Sequence, residues 1–224
     1  MGFLSDFPPL RKGALVVLDA TAGRVLDTIY FQFNPESLTR TLQIQASGKE
    51  GGERTEALRL KGAPIETIKL DAEFDTAGPL PQTEQQNALS LGIYPQLSVL
   101  EMLLYPSSKQ VKDNMSQAAR GVLEIIPPQA PTILLVWGPR RVLPVRLTDF
   151  SIAEEAYDVN LNPIRAKVSM SLRVLNYDDL PWNQRESSLF MAHHEAKENL
   201  AKQRGSGYSS DVTGVKTVFP LSTV

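Results

Sequence analysis

Residues 164–175 carry the pattern that most restricts how this chain folds, because apolar and polar side chains alternate along them. A period of two places successive side chains on opposite faces of a strand. The pattern therefore predicts a long antiparallel strand with one buried face and one polar face. The apolar positions are Ile164, Ala166, Val168, Met170, Leu172 and Val174, and the polar positions are Arg165, Lys167, Ser169, Ser171 and Arg173.

Shorter segments with strand character precede this one. Residues 65–74 alternate in the same way, and we expect an irregularity in residues 141–152 near Pro144. Six or seven long strands close into a barrel or form a sandwich. We therefore predict a mainly β fold with one helical insertion. The other expected strands are residues 14–19, 24–33, 38–45 and 132–137.

The helical insertion is predicted from two patterns between the strands. Thr83 and Gln86 have the spacing of a capping box at a helix N-terminus, and a second helix over residues 95–105 ends at Pro106. We expect residues 107–130 to form a long connection and residues 46–61 to form a charged loop.

The C-terminal part has a different character from the strands. Residues 184–203 have the composition of a charged helix with one narrow apolar stripe, and residues 205–224 are expected to form an extended tail. We therefore expect a barrel-type domain over residues 1–182, followed by a helix and tail over residues 183–224. The stripe consists of Leu189, His193, Ala196 and Leu200.

The composition excludes several classes of protein. The 224 residues include no cysteine, which rules out a disulfide framework, a thiolate metal site and a cysteine nucleophile. The net charge of -2 argues against nucleic acid as a partner. No apolar run approaches the roughly 20 residues that span a bilayer, so we expect no membrane insertion and assembly in the cytoplasm.

Catalytic, metal and cofactor motifs are not found in the sequence. His193 and His194 are adjacent, so on a helix they point about 100° apart and chelate one ion poorly. The carboxylate pairs 154–155 and 178–179 lie beside turns, as solvated carboxylates do. We therefore expect no enzymatic activity. The polar face of residues 164–175 is open to two interpretations: solvent-facing charge, or a subunit contact or channel wall.

Three segments, taken in order, resemble the tube-initiator proteins of contractile injection systems, which are phage-tail-like particles. They are Tyr-Phe-Gln-Phe-Asn-Pro-Glu-Ser-Leu at residues 30–38, Trp-Gly at residues 137–138, and Asn-Pro-Ile-Arg-Ala-Lys-Val at residues 162–168. The resemblance covers roughly residues 10–180. It implies a tail-tube-like β-barrel or sandwich with a flanking helix.

The resemblance also implies a role and partners. Six copies would form a ring in the baseplate that joins the trimeric spike hub to the inner tube and templates tube polymerisation. The implied partners are a second copy, the spike hub, the inner tube protein or a second initiator layer, and other baseplate proteins. Arg165, Lys167, Ser169, Ser171 and Arg173 would suit the lumen or a subunit contact, and the apolar stripe would dock on the hub or a neighbour.

One departure from the resemblance leaves alternatives open. Many tube initiators continue into a peptidoglycan-binding LysM module, whereas only 42 residues follow Trp182 here. The alternatives are an inner tube subunit and a baseplate protein that binds or degrades cell wall. Whether the particle is free, secreted or membrane-anchored stays open.

Overall fold

A single antiparallel sheet organises the protein. The structure, a computed structural model, describes residues 12–19, 24–45, 60–79, 82–120 and 130–203. Its strands are β1 (Ala14–Leu18), β2 (Val25–Tyr30), β3 (Leu38–Gln43), β4 (Ile65–Asp75), β5 (Thr132–Val136), β6 (Val142–Tyr157) and β7 (Pro163–Val174). They pair in the order β2-β1-β5-β6-β7-β4-β3. The prediction of a mainly β fold is confirmed. Most of the predicted loop at residues 46–61 and the predicted tail lie outside the described residues.

The sheet is rolled so that its two ends approach each other. β2 and β4 stand five positions apart in the strand order, which is about 24 Å in a flat sheet at about 4.8 Å per strand. Yet Gln32, two residues after β2, reaches the last residue of β4. Its side-chain amide donates to the carbonyl of Asp75 at 2.6 Å and accepts from the Asp75 N–H at 2.8 Å. The amide thus makes the two hydrogen bonds that a paired strand residue would make, and it joins the end of β2 to the end of β4.

The core lies on one face of this rolled sheet. The alternation predicted for residues 65–74 and 164–175 is confirmed over most of both strands, because the apolar positions from Ile68 to Phe74 and from Ala166 to Val174 are buried. Glu66 and Ser171 are exceptions, since both are polar and buried. Ile68, Val168 and Leu172 are fully buried and belong to one continuous apolar cluster. Each such side chain stabilises the fold by about 1.5–3 kcal/mol relative to an exposed position.

β6 differs from its prediction. The strand runs unbroken through Pro144, which pairs with Leu134 of β5, and the irregularities instead follow Leu147, Glu154 and Ala156. The expected irregularity near Pro144 is therefore wrong. The carbonyl of Pro144 accepts from Leu175, one residue beyond β7, at 2.9 Å. Since the N–H and C=O of a strand residue point to the same side, the missing donor faces the end of β7 and disturbs little.

Four helices complete the described part of the chain: α1 (Gln82–Leu91), α2 (Tyr94–Glu101), α3 (Ser108–Ala119) and α4 (Arg185–Gln203). α1 begins before Thr83, so Thr83 is not its cap. The prediction that residues 107–130 form a connection is wrong for α3. The Ser107 hydroxyl accepts from the Gln110 N–H, and the Gln110 side chain accepts from the Ser107 N–H. This capping box starts α3 and is visible in the sequence as Ser-x-x-Gln.

The helical insertion is anchored to the start of β7. The Ile93 N–H donates to the Pro163 carbonyl at 2.8 Å, and the Asn162 side-chain amide donates to the Ser90 carbonyl at 3.2 Å. Gly92 makes this contact possible. It has a φ of +60°, and a Cβ at this position would lie 2.1 Å from the Pro163 oxygen. The Asn-Pro sequence at residues 162–163 therefore forms the joint between the sheet and the helices.

Candidate assembly interface

The polar face predicted on residues 164–175 lies on β7, between β6 and β4. Its basic side chains meet acidic partners on β4. The Arg165 Nε lies 2.8 Å from an Asp75 carboxylate oxygen, and the Lys167 Nζ lies 3.1 Å from an Asp71 carboxylate oxygen. The strand register brings these pairs together, since Arg165 stands directly opposite Asp75.

These carboxylates are held in their charged form. The Ala77 N–H, with Arg165 beside it, keeps the pKa of Asp75 below its usual range. Hydrogen bonds from Ser169 and then Lys167 lower the pKa of Asp71. Both acids are therefore ionised at neutral pH. Because the pairs are solvent-exposed, each adds little to the stability of the fold. Their main effect is to place an acidic group beside each basic group on this surface.

The face as a whole is nearly balanced in charge. Five basic and six acidic residues share or border it, so it differs from the basic surface that the residues of β7 alone indicate. The basic residues are Lys69, Arg146, Arg165, Lys167 and Arg173, and the acidic residues are Asp71, Glu73, Asp75, Asp149, Glu155 and Asp179. Ser169 and Ser171 lie between the charges on β7.

Besides the outer edge of β2, two strand edges are free in the described part of the chain, and both border the set β6-β7-β4-β3. β5 pairs with β6 only as far as Val145, so residues 146–157 of β6 pair with β7 alone. At the other side of the long strands, β3 pairs only with β4. Both edges carry incompletely covered apolar groups: Phe150 is half-buried on β6, while Leu42 and Ile44 are 47% and 73% exposed at β3. Free edges of this length are templates for pairing with another chain.

The predicted docking stripe lies on α4 but is only partly exposed. Leu189, His193 and Ala196 are half-buried and Leu200 is 43% exposed. α4 itself is held by Phe190, which joins the apolar core and packs edge-on against the Tyr177 ring at 5.9 Å. Sequence reasoning missed Phe190, although it is the one aromatic residue in α4.

A small polar cluster connects the second half of α4 to β3 and β4. Glu66 is buried, its carboxylate is 2.6 Å from the Arg40 Nε, and a second oxygen is 3.6 Å from the Lys197 Nζ. Burial alone would raise the pKa of Glu66, but the Arg40 hydrogen bond and the charge of Lys197 hold it below its usual value. His193 contacts the Arg140 carbonyl at 3.2 Å, and burial lowers its pKa.

The motif at residues 31–34 makes the contacts that join the two ends of the rolled sheet. Phe31 is fully buried, and its ring centroid lies 6.2 Å from that of Trp137. The Asn34 side chain accepts from the Gly13 N–H at 2.8 Å, while Gln32 makes the bonds to β4 described above. Residues that appear as a linear motif in the sequence therefore have architectural roles.

The fold and these surfaces define a mainly β protein whose exposed features are strand edges and a charge-balanced face. Residues 16–180, about three quarters of the chain, match the contractile injection system tube protein family. The protein belongs to that family, and it is thereby a structural, tube-type component of a phage-tail-like particle. No curated protein matches the chain.

Two kinds of feature are absent from the described residues. Among them, no helix combines the length and the apolar character that crossing a bilayer requires. Within the same residues, no three side chains of histidine, aspartate or glutamate converge as metal ligands would. Family membership points to a structural role rather than a catalytic one.

Proposed function

We propose that the protein is a tube initiator: a ring of six copies that joins the spike hub to the inner tube and templates its polymerisation. The observation that carries this proposal is the pair of free edges on the four adjacent strands β6, β7, β4 and β3. A β3 edge of one copy and a β6 edge of the next would pair into a continuous sheet. A contact of this head-to-tail kind closes into a ring when the rotation between copies allows it.

The strand count supports this arrangement. Neighbours in the set β6-β7-β4-β3 are all antiparallel, so its first and last strands run in opposite directions. Copies related by simple rotation then meet β3 against β6 in antiparallel orientation, and the whole ring keeps one hydrogen-bonding pattern. An odd number of strands would force a parallel pair at every junction.

The charge-balanced face then lines the channel. Arg165, Lys167 and Arg173 would project from β7 toward the lumen. Acids of β4 lie beside Arg165 and Lys167, and Asp179 lies beside Arg173. Polar interiors are typical of barrels wide enough to hold water. Because basic and acidic side chains are interspersed on this face, such a lumen would bind neither strongly acidic nor strongly basic cargo tightly.

α4 favours an initiator over a plain tube subunit. The family match ends at residue 180, and α4 follows it. The helix is fixed to the core by Phe190 and to β3 and β4 by the Glu66 cluster, so its outer side is presented in a defined orientation. We propose that this side, including Leu200, contacts the spike hub or a neighbouring copy. The family match itself favours the alternative, in which the protein is the inner tube subunit.

Edge variants test the ring. Leu42→Lys and Ile44→Lys place charges at the β3 edge on already exposed positions, so we expect folded monomers and a loss of rings in native mass spectrometry and electron microscopy. Leu89→Lys, at an exposed position on α1, is the matched control and should keep the rings. Rings of unchanged size and yield in the edge variants would exclude β3 pairing.

Reconstitution separates the initiator from the tube subunit. An initiator should form six-fold rings that bind purified hub and shorten the lag of tube growth. Long tubes formed by the protein alone, with no hub binding, would favour the alternative. Leu200→Asp should weaken hub binding if α4 contacts the hub, and ring formation if α4 contacts a neighbouring copy. Asn199→Asp at the neighbouring exposed position serves as its control.

A further inference from the structure

The two halves of α4 are held to the sheet by different kinds of contact. The first half is anchored by Phe190, whose ring is buried in the apolar core. In the described part of the chain, two polar contacts join the second half to the sheet. The Lys197 Nζ lies 3.6 Å from the Glu66 carboxylate, and the His193 Nδ1 lies 3.2 Å from the Arg140 carbonyl. The seating of the second half therefore depends on ionisable groups.

The position of His193 fits a neutral imidazole ring. Because the Arg140 carbonyl can only accept a hydrogen bond, the proton of the neutral ring lies on Nδ1, and Nε2 carries none. Nε2 is buried and has no hydrogen-bond partner among the described residues. Protonation would therefore place a charge and an N–H group without an acceptor at a site shielded from water, which is unfavourable.

The charges around His193 also disfavour a second proton on the ring. Lys197 of α4 and Arg40 of β3 are basic, and Glu66 of β4 is the one acid among the groups that influence the ring, while the β5–β6 turn contributes the Arg140 carbonyl. Glu66 is already shared between the two basic groups. The cluster thus has a net charge of +1 with a neutral ring and +2 with a protonated one. Burial, and then the charge of Lys197, lowers the pKa of His193.

We propose that His193 is a pH-sensitive switch that holds the second half of α4 on the sheet at neutral pH and releases it in mild acid, while Phe190 keeps the first half docked. Released, the ring has the ordinary histidine pKa of about 6.5, which is higher than in the docked helix. The released form therefore takes up the proton first as pH falls. The equilibrium constant for release rises by at most about tenfold per pH unit. This inference does not depend on ring formation or on the hub.

Hydrogen exchange of the backbone amides of residues 194–203 measures the release in the full chain. The rates are divided by the intrinsic exchange rate at each pH, which gives a protection factor. We expect this factor to fall by about three- to tenfold between about pH 7 and about pH 5.5, because the released helix binds one more proton. Glu66 does not contribute over this range, since its pKa lies below the usual value and it stays charged.

Two variants assign the response to one ring. His193→Gln keeps an amide that can donate to the Arg140 carbonyl but does not titrate, so its protection factor should be the same at both pH values. His194→Gln is the matched control. His194 is exposed and lies 3.4 Å from Glu198 on the same helix, so this variant should keep the decrease of the unmodified protein.

The opposite results would overturn the proposal. A protection factor that does not change with pH in the unmodified protein would exclude release. A decrease that persists in His193→Gln, or that disappears in His194→Gln, would assign the response to another group. Nuclear magnetic resonance gives an independent measure because the full chain contains two histidines. The His193 ring should titrate with a midpoint below about pH 6.5, and a midpoint at or above this value would contradict the switch even if a variant folds poorly.

Discussion

Gln32→Ala is the change that most directly tests the closure of the rolled sheet. Gln32 is 7% exposed, and its amide makes both hydrogen bonds that join the end of β2 to Asp75 of β4. Alanine removes the donor and the acceptor together, so the N–H and the carbonyl of Asp75 lose their partners at a partly buried position.

The magnitude follows from those two groups. Leaving a buried polar group without a partner costs about 1–3 kcal/mol, and the partial burial at Asp75 places each group at the lower end of this range. We expect the free energy of unfolding to fall by about 2–4 kcal/mol, which lowers Tm by roughly 5–15 °C for a chain of this size. Gln32→Glu keeps only the acceptor, so it should also destabilise the protein.

Urea unfolding followed by tryptophan fluorescence measures this decrease in the free energy of unfolding, with Trp137 as a reporter close to the contact between Gln32 and Asp75. The measurement should be repeated at several protein concentrations so that assembly does not contribute to the apparent stability. Gln43→Ala, at an exposed position on β3, is the control and should change the free energy of unfolding by less than about 0.5 kcal/mol. A loss equally small for Gln32→Ala would refute closure by the amide.

Two further predictions concern the joint and the polar cluster. Gly92→Ala should destabilise the protein more than Gly138→Ala in thermal unfolding, because both have positive φ but only Gly92 meets a backbone oxygen, that of Pro163. Equal losses would contradict the anchoring role. Since the folded-state pKa of Glu66 is lowered, its stabilising effect is present above its unfolded-state pKa and is lost as pH falls through the folded value. Glu66→Gln should therefore flatten the stability profile between about pH 5 and pH 3, and an unchanged slope would exclude this contribution.

The alternation of side chains determines much of the fold before any tertiary contact is known. On β4 and β7 the period of two identifies the buried face because apolar side chains must leave water whichever strands are neighbours. The same reasoning identified α4, whose composition is helical. It did not predict α3, because the polar composition indicated a loop although Ser107 begins a capping box. It also placed a strand irregularity near Pro144, where the neighbouring strands decide whether a missing N–H disturbs the hydrogen bonding.

The candidate assembly interface depends on information that is not local. The pairing of Lys167 with Asp71 follows from the register of β4 against β7, which joins residues nearly a hundred positions apart. The residue that fixes α4 is Phe190, because Tyr177 and the sheet provide its contacts. Periodicity indicates which side of a helix is apolar, but the shape of the opposing surface selects the residue that is buried.

The sequence by itself determined that long amphipathic antiparallel strands dominate this protein, because alternation is a property of neighbouring residues in one strand. Only the tertiary structure decided where the sheet closes, which edges stay free and that the polar face is balanced in charge. Those three features depend on strand order and register, which arise from contacts between segments far apart in the chain. The amide of Gln32 shows this: it is one polar residue in a motif, and its function is visible only beside Asp75.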